Sequence, residues 1–431
     1  MSIVLTSVTA APRAAAPGAA APQVVDAYAD PVSGFTLPAW QTRVIVFTPV
    51  ICATLLAKFG LPPLASIGIG LLYPLTFALI GYGFVTGQLH FEWRRLAFFL
   101  VVLSTLGLMQ LMRTDSFSLP SFIMMTALAS TFVFTTRTTA VTSQDALNFF
   151  CNLSAFVALL GIGQFFVQFL GNAALTFPIE TFVPDVMRTK GYNNVSPLFY
   201  GSPLYKSTGF VMLEPSVFSQ LCAIGLMAEL FGRSRYLRLS LYVIALLVAY
   251  SGTGLLILAV SLPAFVLMYR RWELLARGAV LIGVVLLLSE PLNLNLITGR
   301  FDEFGNAGSS GFARFVGWQD LFSDRLWPSP SAALFGHGAG SFESLAAGYA
   351  AAQMAHTKIL FEFGLLGGLV YFSFIFFCIY GNGAPRVLQI AITVCYFMNG
   401  AYSPTLIGLA LSLLLWPNSS VKALPEPRHA A

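Results

Sequence analysis

Arginine, histidine and glutamate gather in two polar stretches of an otherwise apolar chain. The longer, 290–352, carries Arg300, Asp302, Glu303, Arg314, Asp320, Asp324, Arg325, His337 and Glu343, and His356 follows just past its end. Arg300 and Arg314 have the clearest chemistry, because a guanidinium fork binds two phosphate oxygens at once. The plain alternative is a pair of solvated surface arginines, and Arg325 fits that description better. Gly336-His337-Gly338-Ala339-Gly340 is glycine-rich but lacks the Gly-Lys-Ser/Thr of a nucleotide-binding loop. A tight turn there could bring His337 to a site. His356 opens an apolar segment together with Lys358 and Glu362. Histidine titrates near neutrality and can take a proton from a hydroxyl, or it can simply hydrogen-bond at a helix end.

The shorter stretch, 172–209, holds Glu180, Asp185, Arg188, Lys190, Tyr192, Tyr200, Tyr205 and Lys206 and runs into Glu214-Pro215-Ser216. Proline suits the first turn of a helix, so Glu214 sits at a helix mouth. It reads as an acid/base or substrate-orienting group, or as a carboxylate that merely favours the helix dipole. The combined chemistry is capture of a phosphate-bearing compound and removal of a proton from a hydroxyl. Asp302-Glu303 alone is too little for a metal, and neither a metal nor a cofactor is expected.

The elements that must position these groups follow from composition. Of 431 residues 57% are apolar and 10% charged, whereas soluble domains are about 25% charged. Uncharged runs of about 20 residues can span a bilayer as helices, and the long strand-like alternation of a membrane barrel is absent. The fold class is therefore an all-α polytopic membrane protein. Twelve spans are expected near 41–58, 62–86, 96–112, 119–136, 146–171, 210–231, 237–251, 254–269, 277–290, 355–380, 386–400 and 403–417, as one transmembrane domain over 39–418. An Ala/Pro-rich tail, 1–38, without a signal-peptide layout, and a second tail, 419–431, flank it. Cys52, Cys151, Cys222, Cys378 and Cys395 lie in or beside apolar runs and form no CxxC pair, so they read as small buried hydrophobes. The net charge of +5 comes from loops and forms no nucleic-acid footprint.

Basic residues at 94–95, 137, 233–238, 270–277 and 386 fall on alternate connections, which makes those cytoplasmic. Both termini are then cytoplasmic, and the polar stretches 172–209 and 290–354 lie outside together. One step decides this. The uncharged run 239–269 would be about 46 Å long as one helix, too long for a single crossing. A break at Ser251-Gly252-Thr253-Gly254 makes it two helices. On the outer face of a membrane, the abundant phosphate compounds are lipids and lipid-linked carriers.

The order of these pieces resembles the Wzy-type polysaccharide polymerase and O-antigen ligase superfamily. The matching residues are Glu214-Pro215-Ser216, Arg314 with Trp318, Gly338-Ala-Gly340-Ser-Phe342, His356, and Glu362-Phe-Gly364-Leu-Leu-Gly367. The similarity covers about 210–380 by motif and the rest by hydropathy and loop placement. His356 stands roughly one helical turn nearer the Glu-x-Gly than in the family pattern, and Thr357 replaces the usual Asn or Ser. The Glu-Pro-Ser start resembles the polymerase side, and the Ala/Pro-rich beginning resembles xanthan-type exopolysaccharide polymerases.

The resemblance implies a GT-C-like glycosyltransferase of the bacterial inner membrane, acting on undecaprenyl-pyrophosphate-linked oligosaccharides as donor and acceptor. It implies a pyrophosphate clamp of Arg314, Arg300 and Arg188, and a base in His356 or Glu214 with His337 in reserve. Membrane lipid and other assembly proteins, a flippase or a chain-length regulator, would be partners; nucleic acid would not. A ligase would share the donor and differ in acceptor. A lipid-linked-sugar flippase or transporter, which would show broken helices and matching halves, and a purely structural membrane subunit are the remaining alternatives.

Overall fold

Helix signals in the sequence place the main elements of the computed structural model, which describes residues 38–111, 117–137, 140–199, 201–232, 234–274, 283, 305–306, 308–400 and 403–417. The expected tails, apart from Pro38, and the span 277–290, apart from Gly283, lie outside the described residues, as does Arg300. In chain order the main helices are α1 (Ala39–Thr54), α2 (Leu72–Val85), α3 (Trp93–Leu111), α4 (Leu119–Ser130), α5 (Ser143–Val167), α6 (Pro215–Phe231), α7 (Tyr236–Ala249), α8 (Gly252–Tyr269), α9 (Ala355–Tyr380), α10 (Arg386–Phe397) and α11 (Pro404–Ala410). Ser118 caps α4 by accepting from Ser121 N, with proline in its first turn. Thr142 and Asp145 form a capping box on α5.

The chain is mostly helical, and four helices are long and apolar enough to cross a membrane: Trp93–Leu111, Ser143–Leu170, Gly252–Tyr269 and Ala355–Tyr380. Six further apolar helices have 10–17 residues, shorter than the roughly 20 a straight crossing takes. The described residues therefore do not present twelve full-length crossings. Glycine and proline cut the helices early: α2 stops just before Gly87, and residues 210–214 are a turn that ends at Pro215. The run 239–269 is divided at Tyr250, whose φ of 44° is left-handed, so α7 and α8 are separate helices. The only strands among the described residues, β1 (Leu89–Phe91) and β2 (Phe134–Thr136), pair antiparallel and tie the α2–α3 connection to the α4–α5 connection.

α6 is the central helix. Every residue in it except Ser216 and Phe231 is buried, and it packs on α5, α7, α8 and α10. Helices in lipid associate through small residues that let backbones approach. Gly254 of α8 does this against Ser219 of α6, where a Cβ would overlap the Ser219 carbonyl, and Ser219 Oγ lies 3.1 Å from Thr253 Oγ1. Gly225 of α6 faces Tyr242 and Ser154, which share a 2.7 Å hydrogen bond.

α9 is broken. Gly364 has φ 66° and ψ −172°, outside helical space, which leaves carbonyls before it without helical partners. His337 N donates to the Phe361 carbonyl at 3.0 Å and Gly338 N to that of Glu362 at 2.9 Å. The glycine-rich segment is thus neither a phosphate cradle nor a free turn. It is a patch on the interrupted helix, and Gly364 and Gly336 are glycines because their backbones touch.

Candidate functional site

Glu214 is placed by α5. Gln164, buried on that helix, uses Oε1 to accept from Thr208 N at 2.8 Å, Phe210 N at 3.1 Å and Ser207 Oγ at 3.0 Å. The amide clamps the turn that leads into α6, a turn with left-handed residues at Gly209 and Phe210. Behind it Lys58, 1% exposed, pairs with Glu180 at 2.6 Å and reaches Thr208 Oγ1 at 3.4 Å. Glu214 then occupies the N-cap of α6 with extended backbone and makes no capping bond with its own side chain. Its Oε1 accepts from Asn193 N at 3.1 Å, and its Oε2 accepts from Ser216 Oγ at 2.9 Å and Arg314 Nη2 at 3.4 Å.

Arg314 sits in the last turn of a short helix, Ser310–Phe315, capped by Ser309. Ala352 N donates to the Ala313 carbonyl, and Met354 bridges Gly400, so this loop is fastened beside the α10–α11 connection. The two polar stretches meet here, one hundred positions apart, through the Glu214–Arg314 ion pair.

A cavity of about 440 Å³ opens at that meeting point, lined by Glu214, Ser216, Tyr192, Arg314, Gln353 and Lys358, with Tyr73, Asn399 and Ser403 from other connections and helix ends. Ile67, Ile69, Met124, Met354 and Met398 supply an apolar part of its wall. The volume and mixed lining suit a small polar ligand with an apolar extension. Burial and the Glu214 carboxylate push the Tyr192 phenol up to about 12, so it remains a hydrogen-bond donor.

The sequence candidates divide accordingly. Glu214 and Arg314 come together at the cavity. His356 does not line it. Lys358, two positions further along α9, does, and residues two apart on a helix point to nearly opposite sides. The His356 ring instead lies 6.3 Å from Trp318 and 6.1 Å from Phe397. His337 is also elsewhere, its Nε2 2.9 Å from the Arg325 carbonyl and its ring on Phe361. Arg188 is paired with Asp185 and does not line the cavity.

Lys358 is the residue whose place the sequence left open. At the start of an apolar helix it contacts Glu362 Oε1 of the same helix at 2.6 Å and Glu343 Oε1 of another element at 2.5 Å. The signal was visible, since a lysine and a glutamate four apart share a helix face and a charge in such a segment is costly unless used. Among the described residues no group of three metal-ligating side chains converges. Comparison with protein-family models, with curated proteins and with solved structures gave no match, so no relative lends this site an activity.

Proposed function

We propose that this chain is a membrane glycosyltransferase that polymerises undecaprenyl-pyrophosphate-linked oligosaccharide repeats into exopolysaccharide at the periplasmic face of the bacterial inner membrane. The observation that carries the reading is the convergence of Glu214 and Arg314, from two distant polar stretches, on one part-apolar cavity. In this reading α1 and the six shorter apolar helices also cross the bilayer, tilted or completed by adjoining turns, and with the four long helices and 277–290 they bring the spans to twelve with both termini cytoplasmic. The anomeric carbon attached to pyrophosphate is the electrophile, and a hydroxyl of the next repeat is the nucleophile. The C–O bond to pyrophosphate breaks as the new glycosidic bond forms, and the hydroxyl proton goes to a base. Arg314 stabilises charge gathering on the departing pyrophosphate. Glu214 is the base here, because it lines the cavity and His356 does not. When a phosphate oxygen replaces Glu214 on Arg314, the carboxylate is released beside the acceptor.

The test is Arg314→Ala in the producing cell. Polymer should vanish while protein level and single lipid-linked repeats persist; normal polymer would refute the clamp. A ligase with the same donor is separated by supplying purified acceptors. One observation favours a transporter or flippase as the second reading: α9 is interrupted at Gly364 next to the buried charges Lys358 and Glu362, and broken helices mark transport sites. Repeats trapped on the cytoplasmic side of a deletion strain would select it.

A further inference from the structure

The cavity has a second cation that the proposed reaction does not yet use. Lys358 is 1% exposed, lines the same cavity as Arg314, and is held between two carboxylates of unlike exposure. Glu362, also 1% exposed, lies one turn further along α9 and is fixed by packing. Glu343 is 47% exposed on the short outer-loop helix Ser341–Leu345, so it can turn into water at small cost. Arg314 is arranged in the same way, with Glu214 as a partly exposed partner. Each cation at the cavity therefore carries one carboxylate that an incoming anion could replace. Glu362 would still compensate the lysine after Glu343 left, which avoids leaving a bare buried charge. A diphosphate has oxygens on two phosphorus atoms, so a guanidinium fork and an ammonium can each take a share.

We propose that Lys358 is a second diphosphate-binding cation, and that a diphosphate ester competes with Glu343 for it as it competes with Glu214 for Arg314. This rests on the reading of the cavity as a lipid-pyrophosphate site. It adds that Glu343 sets the affinity by occupying the lysine, a role with no contact to the ligand itself.

The experiment is equilibrium binding to the full chain in phosphatidylcholine nanodiscs, with farnesyl diphosphate and inorganic pyrophosphate as probes. The wild type should bind farnesyl diphosphate, and Arg314→Ala should weaken it. Glu343→Gln should bind about three- to tenfold tighter. The gain should be missing in the Lys358→Met/Glu343→Gln double variant. The same gain for inorganic pyrophosphate supports recognition of the headgroup alone; a gain for the farnesyl ester only supports recognition of headgroup and isoprenoid together. A Glu343→Gln protein of unchanged melting temperature that binds like wild type or more weakly overturns the proposal and leaves the site reading standing. A gain that survives Lys358→Met overturns it too, because the removed charge would then act only through the general field. If the wild type binds neither probe, the site reading falls, and this inference with it.

Discussion

Gly364→Ala separates two descriptions of the same motif by the sign of its effect. If Glu362-Phe-Gly364-Leu-Leu-Gly367 were one continuous helix, alanine would stabilise it by about 0.5–1 kcal/mol. The structure predicts a loss. Gly364 has φ 66° and ψ −172°, and holding an L side chain in so rare a conformation costs about 1–3 kcal/mol. Its Cβ would overlap the Leu334 carbonyl and stand 2.5 Å from Gly336 N. Separating those backbones breaks the bonds from His337 N to Phe361 O and from Gly338 N to Glu362 O, at about 1 kcal/mol each. The total is about 3–5 kcal/mol. Denaturant unfolding of the full chain in mixed micelles measures it. Gly81→Ala in α2 is the control, since a Cβ there meets nothing within 4 Å and should be neutral or gain up to about 1 kcal/mol. A Gly364→Ala protein as stable as that control would refute the broken helix.

Further outcomes follow from the cavity and its supports. Gln164→Leu leaves the amides of Thr208 and Phe210 without their acceptor, at about 1–3 kcal/mol each; protease nicking near 207–210 should rise and polymer should fall. Glu214→Gln should reduce polymer at least about a hundredfold, the lower value of a lost general base, whereas His356→Ala should stay within about threefold of wild type, and the reverse pattern would move the base to the histidine. Lys58→Met leaves Glu180 without its buried partner and should destabilise the chain by about 3–5 kcal/mol, read by the same unfolding assay. Burial and the Glu214 carboxylate push the Tyr192 phenol from an ordinary 10.0 up to about 12. The tyrosinate absorbance difference between wild type and Tyr192→Phe should therefore develop only near the higher pH, and development near the lower one would place that ring in water.

What the sequence revealed depended on whether a signal was local. The Tyr250 break was legible because a 31-residue run without charge cannot be one crossing, and Ser251-Gly252 offered the place to divide it. Glu214 at a helix mouth was legible from Glu-Pro-Ser alone. The Gly364 break was not. Glycines at small-residue spacing look alike whether two helices pack there or a backbone turns, and only Leu334 and Gly336, some thirty positions earlier, decide between them. The same holds for the helical residues that follow Met354. His356 and Lys358 stand two apart at the opening of α9, so any face that admits one to the cavity turns the other away. Composition cannot choose that face. It is chosen by Trp318 and Phe397, which take up the imidazole ring, and by Glu343, which meets the ammonium from a different element. A histidine attracts attention because its chemistry is versatile, but the helix rotation, set by partners far away in sequence, decides whether that chemistry reaches the ligand. At this cavity the residue on the lining face is the lysine.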